Sequence, residues 1–110
     1  MKNEKLKVGI AGYGVVGKRR RNCIDLNPNL TTVAVSEITL SGEGEFPDGV
    51  KYFNNYNRLF DQKLDVLFVC LPNYLASAVT ILGLKHGLHV FCEKPPACYV
   101  EDVRKVIEGS

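Results

Sequence analysis

No apolar run in this chain approaches the ~18 residues that a membrane-spanning helix requires, so that class is excluded. Paired cysteine motifs are lacking too. Cys23, Cys70, Cys92 and Cys98 form no C-x-x-C, and three of them fall in apolar segments. They read as buried thiols of a reducing compartment, not as a disulfide framework. Lys2 and Lys5 do precede an apolar run over 8–16, but glycines dilute that run and four cations follow it. With no small-x-small cleavage site, secretion is rejected and a cytoplasmic protein is expected. The net charge is only +2, and no aromatic platform accompanies the basic cluster, which excludes nucleic acid as a partner. Repeats and low-complexity tracts are absent, so the 110 residues are expected to form a single domain, 1–110, with a real core.

What is present alternates between two kinds of segment. Leu6-Lys7-Val8-Gly9-Ile10-Ala11 reads as a first strand, and a helix is expected over 15–27, with Val16, Cys23, Ile24 and Leu26 available to pack. Asn27-Pro28-Asn29 stops it. Strands are expected at 31–36, 51–53, 66–70 and 89–92, with a loop over 39–49 and a short helix near 57–62. Residues 66–70 form an uninterrupted apolar run, as a parallel strand buried on both faces requires. The helix after Leu71-Pro72-Asn73 places Leu75, Val79 and Leu82 on one stripe, widened by Ala78 and Ile81, with Gly87 to cap it. A last helix is expected from near Tyr99. Alternation of this kind implies an α/β fold: a doubly wound, Rossmann-type parallel sheet of five strands in the order 3-2-1-4-5.

The chemistry gathers just past the strand ends. Gly12-Tyr13-Gly14-Val15-Val16-Gly17 is a G-x-G-x-x-G turn between strand and helix, where a dinucleotide's pyrophosphate would meet free backbone N–H groups. Glu37 lies 20 residues after Gly17 and follows the second strand. A carboxylate there accepts hydrogen bonds from ribose hydroxyls and repels a 2′-phosphate, so NAD is expected over NADP. Lys18-Arg19-Arg20-Arg21 opposes the helix dipole; one of these cations could help hold phosphate, while Arg20 and Arg21 read as a solvated basic face. His86, His89 and Cys92 have H-x-x-H-x-x-C spacing, but 89 and 92 of one strand point to opposite faces. No metal site is expected. Lys94, beside Glu93 at the end of the last strand, is a candidate for proton transfer with a substrate hydroxyl.

Residues 8–17, residues 65–73 and His89-Val90-Phe91-Cys92-Glu93-Lys94-Pro95 together resemble the glucose–fructose oxidoreductase / inositol dehydrogenase family (Gfo/Idh/MocA), over nearly the whole chain. The resemblance implies an NAD(P)-dependent oxidoreductase of sugars, polyols and related compounds. It implies that Gly12 to Gly17 bind pyrophosphate and that Leu71, Pro72 and Asn73 line the cofactor. It also implies that Glu93 approaches the nicotinamide ribose and that Lys94 assists proton transfer. Two positions depart from the family pattern: Ala76 stands where many members carry histidine, and Tyr99 replaces the Ser or Thr that caps the final helix. The family's second domain, which supplies the substrate pocket, is not in these residues. The chain is therefore expected to be the cofactor domain of a two-domain enzyme, binding NAD(H) but not turning over an alcohol alone. The alternative is a stand-alone dinucleotide-binding or regulatory module. Self-association through the apolar edge at 89–92 is expected as well.

Overall fold

A computed structural model describes residues 5–71 and 73–92, with backbone alone at 73 and 74. The sheet grows outward from β1 (Leu6–Ala11), whose apolar residues are buried on both faces. β2 (Leu30–Ser36) pairs parallel to one side of β1, and β5 (Val66–Val69) to the other. β4 (Lys51–Phe53) extends the sheet beyond β2, and β6 (His89–Cys92) extends it beyond β5, both parallel. These five strands keep the expected order.

One strand was not expected. β3 (Gly44–Glu45) pairs antiparallel to β4, so the sheet has six strands in the order β3-β4-β2-β1-β5-β6. Its cause lies in the turn that follows it. Asp48 Oδ1 accepts from the Val50 N–H at 3.1 Å, and the Phe46 N–H donates to the Val50 carbonyl at 2.8 Å. The turn thereby folds a segment expected as loop back onto β4.

Helix α1 (Val15–Asp25) covers one face of the sheet; α2 (Asn73–Lys85) and a 3₁₀ helix (Tyr56–Asp61) cover the other. Strand alternation divides the core accordingly. Val66 and Phe68 of β5 join Val8, Ile10 and Ile24 on the α1 side, while Leu67 and Val69 join Leu59 and Val79 on the α2 side. Each fully buried side chain of this kind contributes roughly 1.5–3 kcal/mol.

Both helices correct the expectation at their outer faces. Leu26 is 83% exposed and Ile81 is 52% exposed, and Ala78 also faces outward. Leu26 is two residues past buried Ile24, and Ile81 two past buried Val79; a two-residue step turns about 200° around a helix, away from the sheet. α1 also stops two residues early. Asn27 Oδ1 accepts from the Asn29 N–H at 2.8 Å, making an Asx turn that leads into β2. The expectation of buried thiols is corrected: Cys23 is buried but disulfide-bonded, while Cys70, half-buried, and Cys92, exposed at the edge of the sheet, remain thiols. The last helix, from Tyr99, lies outside the described residues. Among those residues, no helix is long and apolar enough to cross a membrane.

Candidate functional site

The glycine loop leaves β1 through a turn that only glycine can make. Gly12 has φ +97°, and a Cβ there would run into the Cys70 carbonyl oxygen; its N–H donates to the Ser36 carbonyl at 2.9 Å. Gly17 packs so tightly that a Cβ would strike the Gly12 carbonyl oxygen. Gly14 differs from both. A Cβ built on it would meet only Glu37 Oε1, at 3.9 Å. The protein's own packing therefore permits a side chain at 14, and the space above it is open.

That space is a cavity of about 350 Å³ at the carboxyl ends of β1, β2 and β5. Its floor is Gly12, Gly14, Val15, Val16 and Gly17. Ser36, Glu37 and Ile38 form one wall, and Cys70, Leu71 and Leu75 the other. Gly14 is the N-cap of α1, with no side-chain cap and no acidic residue in the first turn. The first backbone N–H groups of a helix lack intrahelical acceptors, and the dipole there favours an anion.

Glu37 is half-buried at the lip of this cavity. Its Oε2 accepts from the Thr39 N–H at 3.4 Å and from the Thr39 hydroxyl at 3.3 Å, both long bonds. The carboxylate is held in place yet keeps lone pairs for a hydroxyl-bearing ligand. Sequence reading missed Ser36, Ile38, Tyr56, Cys70 and Leu75 as cavity residues. Ser36, Ile38 and Cys70 immediately flank strand ends, and that signal could have found them.

Tyr13 faces elsewhere. With Lys18, Arg21, Thr39, Phe46 and Asp48 it lines a second cavity of about 480 Å³ on the α1 side, and Glu37 borders both. Two expectations about the basic cluster are corrected here. Arg20 is only 4% exposed, so it is no part of a solvated face. Arg21 is bound on three sides: Nη1 donates to the Tyr13 hydroxyl at 3.1 Å, Nε to Asp25 at 3.2 Å, and Nη2 to Asp48. Burial opposes its charge, but the bonds to Tyr13, Asp48 and Asp25 outweigh that and hold its pKa above the ordinary arginine value. Asp48 is held below the usual carboxylate range, first by the Val50 N–H and then by Arg21.

Asn73 is the first residue of α2. Pro72, Glu93 and Lys94 lie outside the described residues. His86 Nδ1 donates to the Leu82 carbonyl at 2.8 Å, and its ring stacks on Phe60 at 4.6 Å. Among the described residues no three His, Cys, Asp or Glu side chains are grouped to hold a metal.

A model of the Gfo/Idh/MocA group, an oxidoreductase family with an NAD-binding Rossmann fold, matches residues 6–109. The chain belongs to this family. Among similar Gfo/Idh/MocA proteins, the D-glucoside 3-dehydrogenase of Escherichia coli is 33% identical over 98% of this chain and 32% of its own length. The inositol 2-dehydrogenase of Salmonella paratyphi B is 30% identical over 94% of this chain and 33% of its own. In structure, the WlbA dehydrogenase of Bordetella pertussis, solved with NADH and UDP-GlcNAcA, superposes with TM-score 0.69 at 22% identity. That match covers 96% of this chain and 33% of the other. Other solved structures of like fold carry NADP. The chain thus spans about a third of the length of the relatives it matches.

This Gfo/Idh/MocA domain is a Rossmann fold, and NAD is the cofactor that the family's fold binds. Its residues fit that group. Gly14 keeps clear a space that the protein's own packing does not require to be clear, directly over an uncapped helix start and beside a half-buried carboxylate.

Proposed function

We propose that this chain is the cofactor-binding part of an NAD-dependent oxidoreductase that transfers hydride between nicotinamide and a hydroxyl-bearing carbon of a sugar- or polyol-like substrate. The observation that carries the reading is the open space over Gly14 with Glu37 Oε1 at its border. In this reading the N–H groups of Val15, Val16 and Gly17 hold pyrophosphate, and Leu71, Pro72 and Asn73 line the cofactor. Glu37 takes the adenosine ribose hydroxyls and excludes a 2′-phosphate. The bound nicotinamide supplies the hydride acceptor. Glu93 positions its ribose, and Lys94 takes the proton of the hydroxyl being oxidised, a task that requires desolvation to lower its pKa. The names of the glucoside and inositol relatives support the substrate class. The reading places the protein in the cytoplasm, as one domain of a larger enzyme, with β6 as an edge for self-association.

Calorimetric titration with NADH and NADPH tests the cofactor reading. NADH should bind more tightly, and Glu37→Ala should narrow the difference; equal or inverted affinities in the unaltered chain would overturn it. Positioning a substrate against the nicotinamide can supply ~7–11 kcal/mol of the barrier. The chain alone should therefore leave a panel of polyols and sugars unreacted. Turnover that vanishes in Lys94→Ala would show instead that the site is complete within these residues.

A further inference from the structure

Glu37 is the shared border of two cavities, and the second holds cations that the cofactor reading does not use. Lys18 and Arg21 both line it, together with Tyr13 of the glycine loop. We propose that Arg21 is a latent 2′-phosphate ligand, kept from that role by Asp48, so that cofactor choice is set by the pair Glu37 and Asp48 and not by Glu37 alone. The proposal rests on the assignment of Glu37 to the adenosine ribose.

The argument begins with chemistry. A ribose 2′-phosphate differs from a 2′-hydroxyl by a dianion, which needs cationic donors and tolerates no carboxylate beside it. Passing the Glu37 border, such a group enters a space already lined by a guanidinium, an ammonium and the Thr39 side chain. The arginine fork suits phosphate, but here it is occupied. Two carboxylates, Asp25 and Asp48, take Nε and Nη2, and the Tyr13 hydroxyl takes Nη1. Asp25 sits four residues on in the same helix, and such pairs are weak at a surface. Asp48 comes from another element, the turn between β3 and β4.

That turn is well anchored. The Asp48 side chain accepts from the Val50 N–H, and Phe46 packs on Tyr52 at 4.7 Å and on Tyr13 at 6.0 Å. The hairpin thus delivers a fixed negative charge to the guanidinium that lines this space among the described residues. Two negative groups then guard the second cavity: Glu37 at its border and Asp48 inside it. Removing the first lessens repulsion, and removing the second also frees a ligand.

The test compares the unaltered chain with Glu37→Ser, Asp48→Asn and the double variant, titrated with NADH, NADPH and 2′-AMP. Asparagine keeps the oxygen that accepts from Val50 N–H; Asp48→Ser serves if the asparagine variant loses its circular dichroism signature. Glu37→Ser alone should narrow the NADH preference without inverting it. In the double variant, affinity for NADPH and 2′-AMP should rise a further tenfold or so over Glu37→Ser, about the size of one charge-assisted hydrogen bond. Adding Arg21→Met should abolish that gain. The inference is overturned if Asp48→Asn adds nothing in the Glu37→Ser background, or if the gain survives without Arg21. Failure of the unaltered chain to bind NADH would instead remove the cofactor reading beneath it.

Discussion

The start of α1 and the end of α2 solve the same problem in opposite ways. Each helix terminus leaves backbone groups without intrahelical partners. At the end of α2 the chain supplies partners itself for the Leu82, Gly83 and Leu84 carbonyls. Gly87, at φ +77°, lets its own N–H reach the Leu84 carbonyl and the Leu88 N–H reach the Gly83 carbonyl, both at 3.0 Å. This is a Schellman closure, and Lys85 and His86 add basic groups beside the last carbonyls. At the start of α1 the chain supplies nothing: no side-chain cap, no acid in the first turn, and cations that oppose the dipole by ~0.3–1 kcal/mol each. One terminus is finished by folding. The other is left without a side-chain cap, and the contrast separates a glycine that closes a helix end from one that borders an open space.

Substitutions at the glycines should widen that contrast most. Gly17→Ala puts a methyl group against the Gly12 carbonyl, so it should cost about 3 kcal/mol of stability, read by urea unfolding. Gly14→Val should do the reverse, abolishing NADH binding in calorimetry while the unfolding midpoint stays close to the original. A large stability loss at 14 would mean that the open space is not what glycine serves there. At the other terminus, Gly87→Ala forces a left-handed conformation on alanine and should cost about 1 kcal/mol, roughly 5 °C in melting temperature. NADH affinity should not change.

The smallest effect belongs to Asp48. Its pKa is depressed in the folded state, so its contribution is present above the unfolded carboxylate value and is lost as pH falls through the folded one. Below about pH 4 the stability of the unaltered chain should fall more steeply than that of Asp48→Asn. Parallel acid-unfolding curves would show that the Asp48–Arg21 pair does not hold the hairpin.

Much of this was legible before any coordinates. β1 was readable to the residue because its mostly apolar run ends at the Gly12 turn, and β4 and β6 were readable between their turns. The loop glycines and Glu37 were readable because a G-x-G-x-x-G turn and an acid about 20 residues on have recognisable offsets from strand ends. β3 was not legible, since two residues carry no periodicity and its pairing is imposed by the turn beyond it. The Arg21–Asp48 pair was also hidden, because a contact across 27 residues leaves no local pattern. Helix exposure failed at Leu26 and Ile81 for a simpler reason. Apolar character says that a residue can be buried, while the angle around the helix decides whether it is.

The central place of β1 has a consequence for how the chain is made. Its backbone is tied to the start of β5 by Lys7 and Asp65, residues 58 apart in sequence, with the Lys7 N–H on the Asp65 carboxylate at 2.8 Å. At roughly 5–20 residues per second of synthesis, about 3–12 seconds separate the emergence of these two partners. Through that interval β2 can cover one edge of β1, but the other, which pairs with β5, has no strand to receive it. The nascent chain therefore passes through a stage in which its most apolar ladder is half-built.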